Sequence, residues 1–342
     1  MTYAELAAAA RGQIGPHCKA CPVCDGRACA GKIPGPGDKG VGHVAQRNWE
    51  AWQKLRVNMD TLHETFAADT RTQALGRELS LPVMVAPVGD VPKHYGEKYE
   101  TVDYNRIVLE TAAEAGTLAL TGDGPDSSIM EGATSLISEL GGRGVPTIKP
   151  WDPATLEARV GMALAAHPAA VAMDIDAAGL PFLRNAVPPA GALSASQVAE
   201  VAARCHDGGV PFVLKGVMTA RAAERAADAG VDAIVVSNHG GRVLDGVPAT
   251  AEALPAVAKA VGDRVEVLVD GGVRSGLDVF RALALGARSC LVCRPVVVAA
   301  FGDGAAGVRC YLDQLRAELA DVMEMCGAAT VAEISSEMLW RA

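Results

Sequence analysis

Aromatic side chains are scarce in this sequence. Phe, Tyr and Trp supply 4% of the 342 residues, although half of the chain is apolar. An interior must then be assembled from Ala, Val, Leu and Ile, the composition of parallel sheets covered by helices. Long apolar runs are absent too, none reaching the ~18 residues that a membrane span needs. The opening residues MTYAELAAAARGQ carry Glu5 and lack the basic and apolar regions of a secretory leader. Both absences point to a cytoplasmic protein with no membrane partner. Blocks of positive charge are missing as well, and the net charge is −9. Nucleic acid and anionic membrane surfaces therefore have no electrostatic footprint here, and a small-molecule site becomes the default.

What is present repeats. Beyond a stretch rich in Gly and Pro at residues 12–42, short apolar runs alternate with polar loops and Ala-rich amphipathic segments. That is the order of β/α units. Eight such runs can be read, at 82–87, 117–121, 145–149, 170–175, 211–215, 232–237, 265–270 and 289–293. Between them Ala195–His206, Ala220–Ala229, Ala249–Val261 and Leu277–Leu285 carry apolar residues at helical spacing, several behind Ser or Thr caps. Eight units predict an α/β fold, a closed (β/α)₈ TIM barrel over residues 48–342, preceded by a short cysteine-containing arm at 1–47. An open doubly wound sheet would want a G-x-G-x-x-G turn after its first strand, where this chain has Ala86-Pro87-Val88-Gly89-Asp90.

A barrel gathers its site at the C-terminal ends of its strands. Polar residues stand there: Lys149, Asp174, Lys215, Ser237-Asn238-His239, Asp270-Gly271-Gly272 and Arg294 each end an apolar run. Most informative is Ser237-Asn238-His239-Gly240-Gly241-Arg242, which sets an imidazole and a guanidinium three residues apart in a glycine-flanked turn. An imidazole with a pKa near ~6.5 can take a proton at neutral pH, and a guanidinium fork fits a carboxylate. Base and anchor together describe a site for a 2-hydroxy acid. The Asp270-Gly271-Gly272 turn with Arg274, joined by Arg294, offers N–H groups and charge to a phosphate, a location that recurs after strands seven and eight of barrels.

The run Ser237 to Arg242 followed by Leu244-Asp245, together with Asp270 to Gly276, Gly286-Ala287-Arg288 and Arg294-Pro295, resembles the signature of the FMN-dependent 2-hydroxy acid dehydrogenases and oxidases. The likeness extends from about residue 48 to the C-terminus and is densest after 210. It implies an FMN-dependent oxidoreductase that converts a 2-hydroxy acid to a 2-oxo acid. His239 would be the base, Arg242 the carboxylate anchor and Asp174 the carboxylate that holds the imidazole. The resemblance also implies that Ala86, Pro87, Val88, Gly122, Lys149 and Ser237 lie on the cofactor. Lys215 would stand beside the flavin N1 and C2 carbonyl, and Asp270, Gly271, Gly272, Arg274 and Arg294 complete the cofactor set.

The departures are equally informative. Where the family has Gln-Leu-Tyr after its third strand, with Tyr on the substrate, this chain has Lys149-Pro150-Trp151. Where it has Gly-Arg-Arg after the fourth, this chain has Ala177-Ala178-Gly179-Leu180, and the nearest arginine is Arg184. A charged hydrogen bond contributes ~1.5–3 kcal/mol, so losing two weakens a small acid by on the order of 10²-fold or more. With Trp151 assigned to the substrate, bulkier or aromatic 2-hydroxy acids are expected over lactate or glycolate.

Of nine cysteines, Cys205, Cys290, Cys293, Cys310 and Cys326 lie in apolar segments and read as buried free thiols. Cys18-x2-Cys21-x2-Cys24-x4-Cys29 reads as a metal site. Three thiols at successive i+3 spacing favour a [4Fe–4S] cluster over zinc, with reduced or disulfide-linked cysteines as the remaining alternative. A cluster would offer electrons an exit other than oxygen, to an acceptor the sequence does not name. A homo-oligomer is expected. The competing functions are an FMN-dependent isomerase of the type-2 isopentenyl diphosphate class, against which the HGGR run argues, and a flavin- or metal-binding barrel without turnover.

Overall fold

The computed structural model describes residues 1–340. Each of the eight apolar runs forms a strand. After a hairpin of β1 (Thr72–Ala74) and β2 (Arg77–Leu79) come β3 (Val83–Val85), β4 (Leu120–Thr121), β5 (Val145–Ile148), β6 (Val171–Asp174), β7 (Phe212–Val217), β8 (Ala233–Val236), β9 (Glu266–Val269) and β10 (Ser289–Val292). They pair in parallel in the order β3-β10-β9-β8-β7-β6-β5-β4. A bridge between Val85 and Ala119, with Val85 N donating to Leu118 O at 3.0 Å, joins the two ends of that order. The sheet closes into the (β/α)₈ barrel, and the open sheet is excluded.

Strand alternation creates two cores. In β8, Ala233 and Val235 join an inner cluster with Met84, Leu120, Ala172 and Leu268, whereas Ile234 and Val236 belong to the layer between strands and helices. Small residues suit the inner cluster because an eight-stranded barrel is only wide enough for its own side chains. The β1-β2 hairpin closes the bottom: Ala74, Leu75 and Leu79 enter the same cluster, and Leu75 N donates to Glu266 at 2.9 Å. Helices Ala195–Asp207 and Gly276–Ala284 open with capping boxes at Ser194 and Ser275, each cap contributing about 1 kcal/mol. The last helix, Arg294–Cys326, breaks at Asp303 and Gly304. Among the described residues no helix is long and apolar enough to cross a membrane.

The helix Val44–Lys54 runs straight through the boundary expected at 47/48, so arm and barrel meet inside a helix. Leu6, Ala7, Ala10 and Ala20 pack into the barrel's outer core. The helix Tyr3–Ala10 lies on the last helix, where Tyr3 N donates to Gln314 Oε1 at 3.1 Å and the Tyr3 and Tyr311 rings are 5.5 Å apart. Residues 15–43 hold neither helix nor strand. They roof the C-terminal mouth, with Lys39 N donating to Gly241 O at 2.8 Å and Lys39 Nζ to Val243 O at 3.1 Å.

Candidate active site

Beneath that roof lies a cleft of two lobes. Ala86, Pro87, Lys215, Gly240, Asp270, Gly271, Gly272, Arg274 and Arg294 line the first. Val88, Lys149, His94, Leu180, Phe182 and Leu183 line the second, and His239 and Arg242 stand in both. Two cofactor candidates sit below the surface. Ser237 is fully buried, its Oγ accepting the His239 N–H at 3.1 Å. Gly122 is pressed on Val88 and Gly89, where a Cβ would stand 2.4 Å from backbone.

The floor is a cluster of buried charges. Parallel register sets Asp174 opposite Lys215, whose Nζ lies 2.8 Å from Asp174 Oδ1 and 3.5 Å from Asp270 Oδ2. Lys149 Nζ bonds the other Asp174 oxygen. Burial opposes the Asp174 charge, but Lys149 and Lys215 outweigh it and hold the carboxyl well below the usual range. Burial likewise opposes the Lys215 charge, and Asp174 and Asp270 hold its proton well above the ordinary lysine value.

Asp174 is therefore committed to two lysines, which corrects its expected place on the imidazole. The carboxylate on His239 is Asp176, with Oδ1 2.9 Å from Nδ1. A carboxylate only accepts, so Nδ1 carries the proton and Nε2 is free to take one. Local backbone explains the substitution of one aspartate for the other. After β6 the chain enters a 3-10 turn, Ile175–Gly179, that lifts Asp176 above the strand end. Opposite it β7 bulges at Gly216, φ +106°, where a Cβ would strike the Asp176 side chain at 2.6 Å.

His239 itself has φ +55° and is followed by Gly240 at +64° and Gly241 at +87°. Non-glycine residues adopt this left-handed region rarely, and such outliers gather at functional sites. The turn brings the imidazole over the cleft while Arg294 fills the space beside Gly240, its Nη2 2.4 Å from where a Cβ would stand. Burial lowers the His239 pKa, with Asp176 opposing and Lys215 reinforcing. The net lowering favours the neutral ring, the form able to take a proton.

Arg242, Arg274 and Arg294 bring charge without counter-charge. Their bonds go to carbonyls: Arg242 Nη2 to Pro34 O at 2.8 Å, Arg274 Nε to Cys24 O at 2.8 Å and Arg294 Nη2 to Gly240 O at 2.7 Å. Among the described residues none of the three pairs with a carboxylate, and Arg242 Nε is buried without a partner. In a chain of net charge −9, three uncompensated guanidiniums in one cleft fit anionic ligands. The Gly271 and Gly272 backbone beside Arg274 fits a phosphate in particular. The residues present thus match FMN.

Trp151 is a second correction. It lines neither lobe, and its indole N–H donates to Asp123 Oδ2 at 2.6 Å, with the side chain 1% exposed. The reason is Asp123, a buried carboxylate that burial pushes up in pKa and that Trp151 and Arg159 stabilise. Arg184 turns to Ala178 O at 3.2 Å, away from the cleft. Phe182, not singled out in the sequence, supplies the aromatic wall, with the Arg242 guanidinium 5.7 Å from its centroid and the His94 ring tilted against it with centroids 5.6 Å apart. Tyr95, also missed, lines both lobes.

All nine cysteines are free thiols. Cys205, Cys290 and Cys326 are buried as expected, but Cys293 lines the cleft and Cys310 donates to Met1 O at 2.7 Å. The four arm cysteines are half-buried neighbours: burial pushes Cys18 up to about 12, and Cys24, Cys29 and Cys21 add to the rise.

Comparison with known proteins gives the family and the fold. Residues 36–182 and 153–341 match the model of the FMN-dependent dehydrogenase family, and the chain belongs to that family. An L-lactate dehydrogenase of Caulobacter vibrioides (strain NA1000 / CB15N) is 54% identical over 129 residues, 38% of this chain and 34% of that protein. A pre-mycofactocin synthase of Mycobacterium tuberculosis (strain CDC 1551 / Oshkosh) is 53% identical over 127 residues, 37% of this chain and 32% of that protein. The matched stretches thus span about a third of these relatives' lengths. A solved structure of mandelate oxidase with 3,3-difluoro-2-hydroxy-3-phenylpropionic acid superposes with TM-score 0.80 at 30% identity, covering 99% of this chain and 98% of that one.

Proposed function

We propose that this barrel oxidises a 2-hydroxy acid to a 2-oxo acid, with His239 as base and Arg242 as anchor. The observation that carries the reading is the Asp176–His239 pair at 2.9 Å, set in one cleft with an unpaired Arg242. FMN, when bound, supplies the two-electron sink that receives the substrate's α-hydrogen together with its bonding pair. Arg242 grips the carboxylate and orients the α-carbon toward the first lobe. His239 Nε2 takes the hydroxyl proton as the C–H bond breaks and the C=O bond forms, and Asp176 stabilises the resulting imidazolium. Lys215 holds a positive charge at the floor, where it offsets charge gained by the cofactor.

Phe182, Leu180 and Leu183 wall the second lobe and favour an aromatic or bulky acid, in keeping with the likeness to mandelate oxidase. The finer reading, that the arm's four thiols hold an iron–sulfur cluster through which electrons leave, is supported by their spacing and by the seat of Cys24 on Arg274. Anaerobic mixing of the FMN-loaded protein with candidate acids tests the main reading, because flavin absorbance near ~450 nm bleaches on reduction. His239→Gln should keep FMN and bleach about 10²–10⁴-fold more slowly. Bleaching at the wild-type rate would show that the base lies elsewhere, and no bleaching of wild type by any acid would favour a barrel without turnover.

A further inference from the structure

The arm cysteines take no part in the acid chemistry, yet they are built into the wall that faces the phosphate end of the cleft. Arg274 is held on both sides, by Cys24 O at 2.8 Å from Nε and by Val273 O at 2.7 Å from Nη1. The segment that does this is tied down by scattered polar contacts, among them buried Asp38 accepting from Ala45 N at 2.8 Å and Val41 N donating to Asp245 at 2.9 Å. Residues 15–43 have no helix or strand, place Ala20 in the core cluster with Cys18 packed against it, and carry no disulfide. Its backbone is nonetheless tightly folded: Ala20 is fully buried at φ +44°, and a Cβ on Gly37 would stand 1.9 Å from Cys29 O. Four thiols gathered in one loop without helix or strand can cross-link it by sharing a metal.

We infer that Cys18, Cys21, Cys24 and Cys29 hold one thiophilic metal centre as a clasp, and that its occupancy sets the affinity for the flavin phosphate through the Cys24 carbonyl on Arg274. The coupling rests on the assignment of FMN to the first lobe. Arg274 both bonds Cys24 O and lines the first lobe beside Gly271 and Gly272, so one side chain joins the thiol loop to the phosphate site. Without the clasp Cys24 O no longer fixes the guanidinium, and Arg274 regains the rotamers of a free side chain. A single zinc would draw four thiolates to about 3.8 Å of one another, whereas no three of these sulfurs come within 4.8 Å among the described residues. A mononuclear centre would therefore draw the sulfurs closer together than they stand.

The test uses the full chain, produced anaerobically in iron- and zinc-replete medium. Three quantities are measured: iron, zinc and acid-labile sulfide per chain; the melting temperature of the FMN-free protein; and FMN affinity by fluorescence quenching. One centre per chain is expected. Cys21→Ser with Cys24→Ser should abolish it, lower the melting temperature and weaken FMN about tenfold, the factor implied by freeing one long side chain. Should that variant not fold, chelation of wild type and restoration of the metal give the same comparison. Iron with sulfide identifies a cluster, and zinc alone a mononuclear clasp. The clasp is overturned by wild type that binds FMN but carries no metal and titrates all four thiols. The coupling is overturned by metal removal that leaves FMN affinity within twofold. Metal-bearing protein that never binds FMN overturns the flavin assignment, and the coupling with it.

Discussion

Asp176→Asn probes the pair on which the proposed proton transfer depends. Both side chains of the Asp176–His239 contact are 11% exposed, so solvent screens their attraction weakly. A charge-assisted hydrogen bond in that setting contributes ~1.5–3 kcal/mol, and at ~1.36 kcal/mol per decade its loss slows flavin reduction about 10–10²-fold. The direction with pH follows from burial. Desolvation already holds the His239 pKa below its ordinary value, and Asp176 is the largest influence against it. Removing the carboxylate lowers that pKa further. Since the neutral ring is the base, the acid limb of the rate profile moves to lower pH while the plateau falls, because a weaker base drives less proton transfer. Anaerobic stopped-flow bleaching between about pH 5 and 9 reads both. Asp174→Asn should move the limb in the same direction but by less, since Asp174 also raises the His239 pKa and ranks behind Asp176 among its influences. If Asp174→Asn shifts the limb and Asp176→Asn leaves limb and plateau at wild type, the imidazole belongs to Asp174 and the assignment made here is wrong.

Asp174→Asn should act chiefly on stability. It leaves buried Lys149 and Lys215 short of their shared partner, costing about 3–5 kcal/mol by chemical denaturation. Because the Asp174 pKa is depressed in the fold, its contribution is present above the unfolded value near ~3.9 and fades as pH falls below it. A wild-type and variant pair with equal stability at neutral pH would contradict this. Arg242→Lys retains charge but loses the fork, so substrate KM should rise about tenfold or more with FMN affinity unchanged. An unchanged KM removes Arg242 from the carboxylate. Phe182→Ala should weaken aromatic acids by about tenfold while sparing lactate, and equal losses for both would place the substrate ring elsewhere. Trp151→Phe should cost about 1–3 kcal/mol of stability by stripping a donor from Asp123, and a change in acid preference would return Trp151 to the substrate site.

The barrel was legible because its information is local. Each strand is a short apolar run bounded by turn residues, and the helices between them start at Ser194, Thr219 and Ser275 much where the caps stand in the sequence. His239, Arg242, Lys215, Arg274 and Arg294 were legible for a related reason, since strand ends in a barrel converge whatever the loops do. Asp176 was not, because its position depends on a 3-10 turn and on the absence of a side chain at Gly216, 40 residues further on. A second carboxylate two residues beyond Asp174 was the only signal available. Trp151 and Phe182 exchanged roles through a contact with buried Asp123 that no periodicity records. The seat of the arm over the mouth was equally hidden, since a segment without helix or strand has no pattern to read.

That seat has a consequence for how the molecule is made. The arm leaves the ribosome well before the groups that receive it: Arg242 lies 208 residues beyond Pro34, Arg274 lies 250 beyond Cys24, and Gln314 lies 311 beyond Tyr3. Residues 15–43 cannot take up their place until the last three strands exist. During synthesis the four thiols are therefore exposed on an undocked tether for most of the chain's length, and contacts of such long sequence separation form slowly. Cofactor site, roof and thiol loop become complete in the same late event, so a chain halted before β9 would carry its cysteines without Arg274, which Cys24 O receives, and without Arg294.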